Sequence, residues 1–130
     1  MSKEDKQELI EALGGYLPHG VWIDLNGMAG KLNNLYVTHL YNGTDTVQEV
    51  DAVIDFFGDG DFINVEHFKP ILRPMSDATP EENEKYNSFD HDTVGRIMAK
   101  KLAYLNSRFL DYRDMVGRNL AKKAEKGFYF

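Results

Sequence analysis

The chain of 130 residues has no cysteine. That excludes disulfide staples, thiolate nucleophiles and cysteine-ligated zinc. It has only four prolines and no low-complexity run, so nothing in it reads as a linker between domains. No apolar run approaches the roughly 20 residues that a bilayer span requires. The opening residues Met1, Ser2, Lys3, Glu4 and Asp5 are charged and lack an apolar signal core. The expectation is a single cytoplasmic domain over residues 1–130 with no membrane association.

Catalytic signatures are absent as well. The four histidines, His19, His39, His67 and His91, form no His-x-x-x-His pair. Gly14-Gly15 follows a helical segment instead of opening one, so it makes no phosphate cradle. There is no Gly-x-Ser-x-Gly elbow. Asp55, Asp59 and Asp61 cluster around Gly58 and Gly60, but a calcium loop counted from Asp59 would need a glycine where Asn64 stands. These residues read as a tight turn. Asp90-His91-Asp92 reads as a solvated helix start, and Glu81, Glu82 and Glu84 sit where a helix N-terminus favours acid. No enzyme, cofactor or metal is expected.

What the chain does have is 8 Phe, 7 Tyr and an ordinary apolar content, enough for a core without staples. Its charge is divided. Residues 1–94 carry 18 acidic and 6 basic side chains, and residues 95–130 carry 3 and 9. Such asymmetry raises the question of an acidic or nucleic-acid partner.

The character of the chain changes at residues 68–82. Pro70 and Pro74 bracket Ile71-Leu72-Arg73, which reads as an edge strand, or as a strand leaving a sheet, because each proline lacks an N–H. Thr79-Pro80-Glu81-Glu82 reads as a capped helix start, with Thr79 at the N-cap, Pro80 at N1 and Glu82 reaching back. The string Lys69-Pro70-Ile71-Leu72-Arg73-Pro74-Met75-Ser76-Asp77, with Thr79 and Glu81 beyond it, resembles a KPILRPLSDLT motif. That motif is carried by small uncharacterised proteins of phages and mobile elements in gut bacteria. The chain departs from it at Met75 and Ala78. The resemblance implies a mobile-element setting and the same order of parts; it implies no functional residues.

Residues 3–13 read as an amphipathic helix capped by Ser2 and ended by Gly14-Gly15. Residues 21–25 alternate as a strand, and Asn26-Gly27 is a hairpin dipeptide. Residues 28–31 are too loose for a strand. Residues 35–41 and 47–57 read as strands, separated by a second turn at Asn42-Gly43. A two-residue turn at Asp59-Gly60 would set Phe56 opposite Ile63 and Ile54 opposite Val65. Residues 85–88 read as loop. Val94, Ile97, Met98, Leu102, Leu105 and Phe109 keep helical period, so residues 93–109 read as the main helix, with Asp90 or Asp92 as cap and its stripe covering the sheet. Residues 112–126 read as a weaker helix ended by Gly127. The fold class is α+β: an antiparallel meander of about four strands over residues 20–72, with an N-terminal helix and C-terminal helices packed on one face.

Two surfaces follow. Trp22, Phe57, Phe62 and the tail Phe128-Tyr129-Phe130 form a candidate protein interface, for a partner or a second copy. Arg96, Lys100, Lys101, Arg108, Arg113, Arg118, Lys122, Lys123 and Lys126, with Tyr104 and Tyr112 interleaved, form a basic helical stripe, the alternative contact for nucleic acid.

Overall fold

A computed structural model describes residues 2–42, 45–56, 60–90 and 93–130, and describes side chains for these except 38–42 and 45–48. Gly43 and Asp59 of the two expected turns, Phe57, Gly58, His91, Asp92 and the side chain of His39 therefore lie outside the described residues. The chain divides into two compact units, residues 1–71 and 72–130.

The first unit opens with α1 (Lys3–Tyr16), whose first turn is closed by Ser2 Oγ accepting from the Asp5 N–H at 3.1 Å. The helix does not stop at Gly14-Gly15. It runs through both, because the next turn buries Tyr16 alongside Leu9, Ala12 and Leu13. Burying an aromatic of that size is worth more than the ~1 kcal/mol that each helical glycine costs. Gly20, at φ +80°, then turns the chain into the sheet.

Strands β1 (Trp22–Leu25) and β2 (Met28–Asn42) form a hairpin with Leu25 opposite Met28. Its two turn residues, Asn26 and Gly27, both have positive φ, as a type I′ turn requires. Residues 28–31 are part of β2, not a loose segment. The reason is Gly30, where a Cβ would come within 2.7 Å of both Ile54 and Phe56. A glycine that looks like a strand breaker is the place where neighbouring side chains close over the backbone.

β3 (Asp45–Asp55) pairs along the length of β2, with a bulge between Leu32 and Asn34. β4 (Gly60–Asn64) pairs with β3 as Asp55 to Gly60, Val53 to Phe62 and Asp51 to Asn64. This register lies four residues from the one that a two-residue turn would give. The connection is longer, and an even shift keeps every side chain on its expected face. The order in this unit is β4-β3-β2-β1-β5, where β5 is Lys69–Pro74 and contributes Lys69 and Pro70 here. Val21, Ile23, Leu32, Val50, Ala52, Ile54, Val65 and Phe68 complete the core with α1.

In the second unit β5 is no edge. The Arg73 N–H donates to the Phe109 carbonyl at 2.8 Å, and the Leu72 carbonyl accepts from the Ala124 N–H at 2.8 Å. These bonds bring in β6 (Leu110–Asp111), which runs parallel to β5, and β7 (Lys122–Lys123). Among the described residues the strands therefore number seven and are mixed in direction, instead of an antiparallel four. Helix α2 (Pro80–Asn87) covers most of the stretch expected as loop. Helix α3 (Val94–Ser107) matches its expected span within two residues at its C-terminal end. Residues 112–126 are not helical. The buried Asp111 carboxylate accepts from the Met115 and Val116 N–H groups, both at 2.9 Å, and holds that backbone in turns. Leu72, Leu105, Phe109, Leu110, Met115, Leu120, Ala121 and Ala124 form the core here.

Candidate binding site

The chemistry of the second unit concentrates where β5, the start of α2 and the end of α3 meet. Thr79 and Glu82 form the expected capping box: Thr79 Oγ1 accepts from the Glu82 N–H at 3.1 Å, and Glu82 Oε1 accepts from the Thr79 N–H at 2.9 Å. The same carboxylate has a larger role. Arg73 grips it with both terminal nitrogens, Nη2 to Oε1 and Nη1 to Oε2, each at 2.7 Å. Arg108 Nε donates to Oε2 at 2.7 Å. Glu82 is 4% exposed and receives four hydrogen bonds. The Arg73 fork, helped by Arg108 and the Thr79 N–H, holds its carboxyl far below the usual range, although burial works the other way. The same contact raises the pKa of Arg73. Arg73 also donates to the carbonyls of Arg108 at 3.0 Å and Asp77 at 3.2 Å, closing the loop over which the motif runs.

Backbone geometry fixes Arg108 in this position. Phe109 follows the α3 C-cap at φ +57°, a conformation usually taken by glycine at a helix end. A bulky residue there stores roughly 1–2 kcal/mol of strain. Stacking offsets it: the Phe109 ring lies 4.0 Å from that of Tyr129, at 15°. The tail brought in this way places the Phe130 ring 3.7 Å from the Arg108 guanidinium carbon and 5.3 Å from that of Arg73. A cleft of about 460 Å³ lies here, lined by Arg73, Glu82, Arg108, Lys126, Tyr129 and Phe130 among others.

The candidate interface residues fall in both units, and Phe57 lies outside the described residues. Trp22 and Phe62 are exposed in the first unit, on β1 and β4 with β2 and β3 between them, about 14 Å apart at normal strand spacing. The partner of Phe62 is Tyr36, at 5.7 Å. Phe128 and Phe130 are exposed in the second unit, while Tyr129 is half-buried. The basic stripe does not form on helices. Arg96, Lys100 and Lys101 are on α3 and Arg108 is its C-cap. Arg113, Arg118 and Lys126 lie in turns and coil, and Lys122 and Lys123 make β7. Lys101 pairs with Asp90 at 2.7 Å.

The apolar stripe on α3 becomes core only at its end. Only Leu105 of its helical positions is buried. Val94 is 79% exposed, Met98 57% and Leu102 40%. Gly95, Ala99 and Ala103 extend this face and are exposed too, and a Cβ on Gly95 would meet nothing within 4 Å. Arg96 and Lys100 border it, as the 100° step of a helix dictates.

Sequence reading missed the Arg73–Glu82–Arg108 cluster. The available signal was an arginine inside an apolar strand, which burial obliges to find a carboxylate. Among the described residues no group of three His, Asp or Glu could hold a metal ion, and no helix is long and apolar enough to cross a membrane. No protein-family model, no curated protein and no solved structure matches this chain.

Proposed function

We propose that the chain is a non-enzymatic accessory protein of phage or mobile-element type that works by docking another protein onto α3. The carrying observation is the exposed apolar face of Val94, Met98 and Leu102 on a helix whose other side is half-buried at Ile97, Lys101 and Tyr104 and buried at Leu105. Burying the exposed parts of these three side chains is worth about 4 kcal/mol. The small residues beside them let a second helix approach closely, which gives Gly95 a role that its open surroundings do not. Charge selects the occupant. The face is bordered by Arg96 and Lys100, and α3 has no acidic residue. Two copies of this chain would set like charges against each other, so the fitting occupant is an acidic amphipathic helix of a different protein. The resemblance of residues 69–79 to mobile-element proteins supports the setting. Nucleic acid is the weaker candidate, because Lys101 and Arg108 already pair with Asp90 and Glu82.

The test is a titration of the full chain, labelled with ¹⁵N, with an acidic amphipathic peptide and with a basic one of the same apolar pattern. Amide shifts confined to residues 94–103, seen only with the acidic peptide and abolished by Met98→Glu, are expected. Equal response to both peptides, or none to either, would refute the reading. A concentration-dependent dimer lost in Met98→Glu would replace it with self-association. Retardation of DNA or RNA at low salt, unaffected by Met98→Glu, would replace it with nucleic-acid binding.

A further inference from the structure

The cleft beside Arg108 is a separate feature, and the α3 reading does not use it. Arg108 has five N–H donors. One is committed, through Nε to Glu82. Among the described residues its two terminal nitrogens have no hydrogen-bond partner, and its side chain is 32% exposed. Arg73 differs: its terminal nitrogens make four bonds, two to Glu82 and one each to two carbonyls. The cluster thus holds one guanidinium whose terminal nitrogens are fully used and one bonded through Nε alone, with its terminal nitrogens open.

We propose that this cleft binds a carboxylate attached to a flat apolar body. The two terminal nitrogens of Arg108 form a planar fork that matches both oxygens of a carboxylate. The Phe130 ring covers the guanidinium face at 3.7 Å and continues into Tyr129, giving an aromatic wall for the ligand's body. A volume of about 460 Å³ suits a small molecule or one terminal residue of a peptide. The charge around the fork argues against a polyanion. Asp77 and Glu125 line the same cleft as Lys126, so the surroundings are balanced and recognition rests on the fork. A nucleic-acid backbone or polyphosphate would meet those carboxylates.

Such a ligand can be a free aromatic acid or the C-terminal residue of a peptide, and the probes separate them. The full-length chain is titrated with benzoate, with acetyl-Gly-Phe carrying a free carboxylate, and with the same dipeptide amidated. Expected is millimolar binding of benzoate or the free dipeptide, read as shifts of the Arg108 side-chain Nε–H and of amides 124–130, with no response to the amide. A free dipeptide that binds about tenfold better than benzoate assigns the site to peptide C-termini, and the reverse assigns it to small acids. Arg108→Lys keeps the charge, loses the fork and is expected to weaken binding about tenfold or more. Phe130→Ala leaves the Glu82 bonds in place and is expected to weaken binding severalfold, which keeps the test decisive if Arg108→Lys unfolds. Absence of any shift at about 20 mM probe, or equal binding by wild type and Phe130→Ala, would overturn the proposal.

Discussion

Replacing Glu82 by glutamine keeps the shape of the side chain and removes its charge. Each carboxylate oxygen accepts two hydrogen bonds, Oε1 from Thr79 and Arg73, Oε2 from Arg73 and Arg108. Whichever oxygen becomes an amide nitrogen, two donors then face a donor. Breaking a buried ion pair from one side costs about 3–5 kcal/mol. Arg108 is partly exposed and can turn to water, so the lower end, about 3 kcal/mol, is expected. Domains hold only about 5–15 kcal/mol in total, so the loss is large. Urea unfolding followed by circular dichroism, with hydrogen exchange of residues 72–87, measures it. The pH dependence supplies an independent reading. Because the folded carboxyl titrates far below the unfolded value of about 4.3, its contribution is complete above about pH 5 and fades as pH falls beneath the unfolded value. Wild type should therefore lose stability on acidification more steeply than Glu82→Gln, and the two curves should converge. A loss under about 1 kcal/mol at neutral pH, or parallel curves from pH 6 to pH 3, would refute the account of this cluster.

Three further outcomes are expected. Phe109→Ala loses the ring and keeps the left-handed strain, whereas Phe109→Gly loses the ring and relieves it, so thermal or urea unfolding should find the glycine variant more stable by about 1 kcal/mol. Gly30→Ala drives a methyl against Ile54 and Phe56 and should destabilise the first unit by about 1–3 kcal/mol in the same assay. Asp111→Ala strips the acceptors from two backbone N–H groups and should cost about 2 kcal/mol or more, with faster exchange of the Met115 and Val116 amides.

The parts that were legible in the sequence are those whose partners are neighbours in it. Thr79 and Glu82 are three residues apart, and Asn26-Gly27 needs only its own φ angles, so both were readable. The register of β3 and β4 was readable in its faces but not its pairing, because pattern constrains parity and the loop sets the offset. Strands β6 and β7 have two residues each and show no period; bonds from Arg73 to Phe109 and from Ala124 to Leu72 create them. The same distance hid the site, since Arg108 reaches Glu82 across 26 positions and its carbonyl reaches Arg73 across 35. The α3 stripe was correct as a period and becomes core only at its end, at Leu105 and Phe109, because period says that a face is apolar and not what covers it.

One carboxylate that closes the first turn of α2 while gripping the end of α3 has a kinetic consequence. An eight-residue helix is too short to persist alone. Its nucleating turn is completed by side chains from β5 and from the far end of α3, so α2 should consolidate late, after those segments have met. Substitutions on the exposed side of α2 should then accelerate unfolding and leave the refolding rate nearly untouched.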